Sequence, residues 1–169
     1  MKNISLFVAL FSFILLASCN AVNVATDYDR TANFNTYKTY SYHQKGIDKL
    51  SINDLDKNRI ISSIDKEMAT KGFTKVTSGA DLVVNILASS TQEVRVDNDI
   101  YGYGYWGGYP SVSDYTAGKI IIDIIDDKKN ILVWQGVGSD LNISNISAKN
   151  DKIPQAINEI LSKFPPLAK

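Results

Sequence analysis

The chain holds one cysteine, Cys19, and one histidine, His43, and this scarcity limits its chemistry from the outset. Cys19 follows Leu16-Ala17-Ser18. Small residues before the cysteine, an apolar run from Leu6 to Leu16 and a positive Lys2 are the three parts of a cleaved secretory signal. The run is broken by Ser12 and is shorter than the roughly 20 apolar residues a spanning helix needs. The pattern predicts a lipobox in which the Cys19 thiol takes a diacylglyceryl group, residues 1–18 are removed and the new amine is acylated. Each buried methylene contributes about 0.8 kcal/mol and one chain binds only marginally, so two or three chains are needed for a stable anchor. Asn20, rather than Asp, follows the cysteine. By the enterobacterial sorting rule this points to the outer membrane, and the lack of an acidic run after Cys19 points to a periplasm-facing domain.

With Cys19 committed to lipid, no Cys/His nucleophile pair and no multi-histidine metal site can be assembled. A serine triad would have to use His43, and nothing marks a nucleophile elbow. Asp97, Asp99 and Asp114 flank an aromatic stretch and could pair as carboxylates for glycoside hydrolysis. A hydrolase acting on cell-wall glycan or peptide through these acids or His43 is therefore the competing class. Gly102-x-Gly104-x-x-Gly107 has the letters of a dinucleotide fingerprint, but that motif works only as a strand-to-helix turn. Pro110 and the aromatic residues offer no such helix, so no nucleotide is expected. No cofactor or metal is expected either, apart from the covalent lipid on Cys19.

The stretch Tyr101 to Pro110 gathers four of the ten glycines and four of the nine tyrosines. Tyr101, Tyr103, Tyr105, Trp106 and Tyr109 supply large rigid rings for stacking on glycan or for a protein hot spot. They are the leading partner-binding residues. The plain reading beside this one is a Gly-rich spacer that contacts nothing specific.

Charge excludes other partners. The chain carries 18 basic and 18 acidic residues, and loss of Lys2 with the signal leaves a net charge of −1. Only Arg30, Arg59 and Arg95 are arginines. Such a balance gives no electrostatic footprint for nucleic acid. Residues 19–169 are long enough for one hydrophobic core and too few for two ordinary ones, so a single lipid-anchored domain is expected. One acylated cysteine leaves no intramolecular disulfide.

Ala21 to Ala25 alternates as a short strand, and Phe34 to Tyr42 forms an aromatic strand with half-buried tyrosines. A helix over Ser51–Lys71 opens on a Ser51 cap and stops at Gly72, with Leu55, Ile60, Ile61, Ile64 and Met68 on its core face. Phe73 to Ser78 is a strand. Ala80 to Ala88 is a second one, whose apolar Leu82-Val83-Val84 and Ile86-Leu87 predict a central strand covered at least in part on both faces. The Gly/Tyr-rich loop is placed at about 97–117. Gly118 to Val137 then makes a hairpin turning at Asp126–Asn130, with Asp123 needing a partner among the isoleucines. After a polar linker, Asp151–Phe164 is the last helix, ended by Pro165-Pro166.

In this order the motifs resemble a bacterial lipoprotein family known as domain of unknown function 4136. The residues that carry the resemblance are the lipobox, Phe34-Asn35-Thr36-Tyr37-Lys38-Thr39-Tyr40, Lys71-Gly72-Phe73, Ala80-Asp81-Leu82-Val83-Val84, the Gly/Tyr/Trp loop, Ile122-Asp123-Ile124-Ile125-Asp126, Leu132-Val133-Trp134-Gln135-Gly136 and Phe164-Pro165-Pro166. Tyr42 stands where the pattern leads one to expect tryptophan. The resemblance implies a secreted, lipid-anchored domain without an assigned activity. The fold expected is α+β: a two-layer sandwich of a mainly antiparallel sheet with two helices packed on one face. The function expected is a non-enzymatic binding, structural or assembly module of the cell envelope, with an envelope protein or a glycan as partner.

Overall fold

In a computed structural model the backbone is described for residues 22–97 and 111–166, and side chains for 22–90 and 118–166. The strands are β1 (Asn23–Tyr28), β2 (Thr39–Tyr42), β3 (Thr74–Lys75), β4 (Leu82–Asp97), β5 (Ser111–Asp126) and β6 (Ile131–Asn142). The helices are α1 (Gln44–Asp48), α2 (Asp54–Thr70) and α3 (Ile146–Leu161). The strands form one sheet in the order β1-β6-β5-β4-β2-β3, antiparallel except where β2 runs parallel to β3 and β4. This is the expected α+β architecture with two long helices on one face.

Alternation along the strands decides which face is covered. Leu82, Val84 and Ile86 on β4 register with the row of Ile122 and Ile124 on β5 and Trp134 on β6, and all are buried. Ile60, Ile64 and Met68 from α2 and Ile153, Ile157, Ile160 and Leu161 from α3 complete that core. Gly136 and Gly138 let α3 come close, because a Cβ built on Gly136 would lie 2.5 Å from Ile160 Cγ2. The opposite face of β4 is not covered in the same way: Leu87 is 46% exposed and Val83 is partly exposed. Cover is thus complete on one face of β4 and partial on the other, where Gly46 of α1 lies against the Asn85 side chain. On that other face Asp123 accepts a hydrogen bond from Gln135 Nε2 at 2.7 Å and from Asn85 Nδ2 at 3.4 Å, which supplies the cross-strand partners its position requires.

Several boundaries differ from the sequence expectation for local reasons. β1 begins at Asn23 and continues to Tyr28, because pairing with β6 carries its polar half. Phe34–Thr36 is a 3-10 turn, leaving only Thr39–Tyr42 as strand; Tyr37 and Tyr40 are buried rather than half-buried. Asn53, not Ser51, caps α2, accepting from the Asp56 N–H. Leu55 lies half a turn around α2 from Ile64, so it faces outward and is 67% exposed. Only Thr74–Lys75 of the strand after Gly72 pairs with β2. The last helix starts five residues early, capped by Asn145, and tolerates Pro154 within its length.

Both long helices point their N-termini toward the same end of the sheet. Lys149 near the start of α3 reaches Asp56 near the start of α2 at 2.7 Å. Near their other ends Asn158 donates to Glu67 at 2.9 Å. The far end is closed by rings: Phe164 lies 5.3 Å from Trp134, 5.5 Å from Phe73 and 5.9 Å from Phe34, centroid to centroid. The chemistry is left to the end where the helices begin.

Candidate functional site

Three features meet at the helix-start end. First, β4 and β5 outrun the rest of the sheet. The last β5 residue paired to β6 at this end is Ala117, opposite Asn142. Pairing of β4 with β5 nevertheless continues through six more pairs, from Gln92↔Thr116 to Asp97↔Ser111. At about 3.3 Å per residue this two-stranded ribbon projects roughly 20 Å beyond its neighbours. The loop expected at about 97–117 is therefore strand at 111–117. Tyr101, Tyr103, Tyr105, Trp106 and Tyr109 lie outside the described residues, as do Gly102, Gly104, Gly107 and Asp99.

Second, the N-terminal approach enters at the same end of the sheet, beside the last turn of α3. Asn23 pairs with Ser139, three residues before the end of β6. Val22 is buried and its N–H donates to Glu159 Oε2 at 3.1 Å. Cys19 is three residues earlier in sequence and lies outside the described residues.

Third, a pocket of about 230 Å³ opens between the sheet and the helix starts. Its walls include Ile60, Ile120, Leu141 and Ile153, and its polar groups include Asp56 and Lys149. Asp56 is 6% exposed. Its Oδ1 accepts from Arg59 Nη1 at 2.6 Å, and its Oδ2 from Asn53 Nδ2 and Lys149 Nζ, both at 2.7 Å. Burial alone would raise the Asp56 pKa, but these donors outweigh it and hold the carboxyl below its ordinary range. The carboxylate is thus saturated with donors, and two cations surround one anion.

A second polar cluster lies lower on the helix-covered face. Asp65 accepts from Tyr40 and Tyr42 hydroxyls, each at 2.8 Å, and from Lys75 Nζ at 2.9 Å. Burial and the Asp65 bond push both phenols above the ordinary tyrosine range. Every polar group in this cluster has a partner, and the arrangement ties β2 and β3 to α2. Asp81 does the same for β2 and β4, accepting from the Lys38 and Thr39 N–H groups at 2.9 and 3.1 Å.

The residues considered for hydrolysis are not brought together among the described residues. His43 Nδ1 lies 3.3 Å from Asn85 Oδ1. The side chains of Asp97 and Asp114 are outside the described set. Among the described residues no group of three His, Cys, Asp or Glu side chains is arranged to hold a metal, and no helix is long and apolar enough to cross a membrane. Asp56 and Lys149 were not singled out by sequence reading. Asn53-x-x-Asp56 was the available signal, an N-cap followed three residues later by an acid, masked by the alternative frame on Ser51.

A family model described as "Domain of unknown function (DUF4136)" matches residues 24–166, and the chain belongs to that family. No curated protein gives a significant match. Among solved structures, a PDZ domain protein from Parabacteroides distasonis aligns at 13% identity with a TM-score of 0.58, over 95% of this chain and 40% of the other. The present chain therefore spans well under half of that protein. The PelC dodecamer from Paraburkholderia phytofirmans aligns at 13% identity and TM-score 0.52, covering 84% of this chain and 96% of PelC. A neuraminyllactose-binding hemagglutinin homolog from Helicobacter pylori aligns at 11% identity and TM-score 0.50, covering 84% and 94%. At such identities the likeness is one of fold.

Proposed function

We propose that the chain is a non-enzymatic lipoprotein of the cell envelope, anchored through Cys19 to the outer membrane on its periplasmic side. It serves there as a binding or assembly module for a protein or glycan partner. The observation that carries this reading is the ribbon: six strand pairs extend beyond the sheet at the same end as the N-terminal approach. An isolated two-stranded hairpin is marginally stable in water, so a ribbon of this length gains from a surface to lie against. The ribbon also leads directly to Tyr101, Tyr103, Tyr105, Trp106 and Tyr109, the leading contact residues. A PelC structure described as a dodecamer shares the fold, which is in keeping with an assembly role. In-cell crosslinking from Tyr103 or Trp106 tests the proposal. A reproducible partner lost on deletion of residues 101–109 supports it, and a deletion that alters neither capture nor phenotype reduces the loop to a spacer.

A further inference from the structure

Antiparallel strands covered on one face ordinarily turn polar side chains to water on the other, and the sheet face turned away from α2 and α3 departs from that. Alternation on β5 sends Ile120, Ile122 and Ile124 to the helices and Lys119, Ile121, Asp123 and Ile125 to the opposite side. Strand pairing sets these in rows. Leu87, Ile121, Val137 and Ala25 register from β4 across to β1 as one apolar row. Asn85, Asp123, Gln135 and Asp27 form the next row, all polar, and Val83, Ile125 and Leu132 beyond it are apolar again. None of these apolar residues is buried, and Leu87 and Leu132 are 46% and 50% exposed. The short α1 bounds the face along β4, where Gly46 lies against Asn85.

The charges on this face select its occupant. Lys119 and Asp123 stand on either side of Ile121, two positions away in each direction, and neither forms an ion pair among the described residues. Asp140, in the β6 bulge beside Lys119, accepts from Asn23 Nδ2 at 2.6 Å. The charge along β5 therefore reverses sign about Ile121. A two-fold axis laid along the row of Leu87, Ile121 and Val137 matches that reversal: it sets the Asp123 of a second copy over Lys119 and the Lys119 of that copy over Asp123, with the apolar row on its own counterpart. A purely apolar layer, by contrast, would bury Asp123 and Asp27 without a cation. The four strands from β4 to β1 and the stretch from Lys119 to Ile125 span roughly 19 Å by 23 Å. Two copies would thus cover on the order of 900 Å² in total, at the low end of specific interfaces, which makes the contact reversible.

We infer that this sheet face docks a second copy of the chain, two-fold about Ile121, with Lys119 of each copy on Asp123 of the other. The inference goes beyond the ribbon reading and needs neither the ribbon nor a foreign partner. The test is made in cells with the full chain. Ile121→Cys, on the axis, should give a two-copy adduct with a short bismaleimide, well above the background set by the parent and by Ser62→Cys on the exposed side of α2. In the Ile121→Cys background, Lys119→Asp alone or Asp123→Lys alone sets like charges against each other at both contacts and should cut the adduct about tenfold. Co-expressing these two variants with different tags pairs opposite charges at both contacts and should restore a mixed adduct. If either charge variant fails to fold, the comparison of Ile121→Cys with Ser62→Cys still decides. An Ile121→Cys adduct no stronger than that of Ser62→Cys, an adduct with a different protein in place of a second copy, or folded charge variants that crosslink undiminished would overturn the inference. Deletion of residues 101–109 should leave the two-copy adduct unchanged, so this inference and the ribbon reading fail separately.

Discussion

Lys149 Nζ lies 2.7 Å from Asp56 Oδ2 and joins α3 to α2 one turn inside their N-termini. Asp56 also holds Arg59 and Asn53, so a single buried carboxylate sets how the two helices meet above the sheet. Asp56→Ala removes all three partners at once. Breaking a buried pair costs about 3–5 kcal/mol. Here the orphaned Lys149 and Arg59 side chains are about a quarter exposed and can reach water, so the expected loss is about 2–3 kcal/mol. Urea denaturation of the variant against the parent measures it.

Gly136 sits under α3 where there is no room for a side chain. An added Cβ would meet the Trp134 ring and lie 2.5 Å from Ile160 Cγ2. Overpacking of this kind costs about 1–3 kcal/mol. Gly136→Ala is expected to lower stability by that amount, while Gly46→Ala meets chiefly the Asn85 side chain, which can move, and should cost less. Thermal melts of the two variants side by side check the ranking.

Stability should fall at both extremes of pH, by different groups. Burial opposes ionisation of Asp56, Asp65 and Asp126, yet hydrogen bonds from Lys149, Lys75 and the Lys129 N–H respectively hold each below the ordinary range. A depressed carboxylate contributes fully above its unfolded pKa of about 3.9 and loses that contribution as pH falls through the folded value. The urea midpoint should therefore hold from pH 7 to about 5 and drop below about 4. Tyr37 behaves oppositely: burial, and then its bond to Asp126, push its pKa up to about 12. Its contribution is present below the unfolded value of about 10 and is lost as pH rises toward 12. A midpoint insensitive to acid would contradict the carboxylate assignments.

Sequence periodicity exposed the core face of α2, because Ile60, Ile64 and Met68 recur at helical spacing, whereas the run Ile120 to Ile125 announced a strand without saying which of its isoleucines face the helices. It could not show that Val83 and Leu87 face the less covered side of the sheet, since an apolar run looks the same whichever face is packed more fully. Tyr37 and Tyr40 were legible as sheet-associated residues, but their burial depends on Asp126 and Asp65, which are distant in sequence and reach their hydroxyls only in the fold. The Asp56–Lys149 link joins residues 93 positions apart. No local pattern announces such a pair, and so the pocket it borders stayed hidden. The ribbon was obscured for a different reason. Ser89 to Val96 read as a polar continuation of β4, but residues 111–117 mix Val112 and Tyr115 with small and polar residues, and only their register against β4 makes them strand.

Cys19→Ala should leave the protein unlipidated and release it from the membrane fraction. Globomycin should cause the full-length precursor to accumulate. Fractionation followed by immunoblotting reads both, and normal membrane retention of the variant would refute the anchor.

In the proposed role, the partner is met at the ribbon end, next to the N-terminal approach. A photocrosslinking residue placed at Ser113 on the ribbon, and in a second strain at Ser78 in the turn at the opposite end of the sheet, puts that claim to direct test in cells. A discrete, reproducible adduct is expected from Ser113, lost when residues 101–109 are deleted, with none from Ser78. Equal capture from both positions, or capture from Ser78 alone, would contradict it.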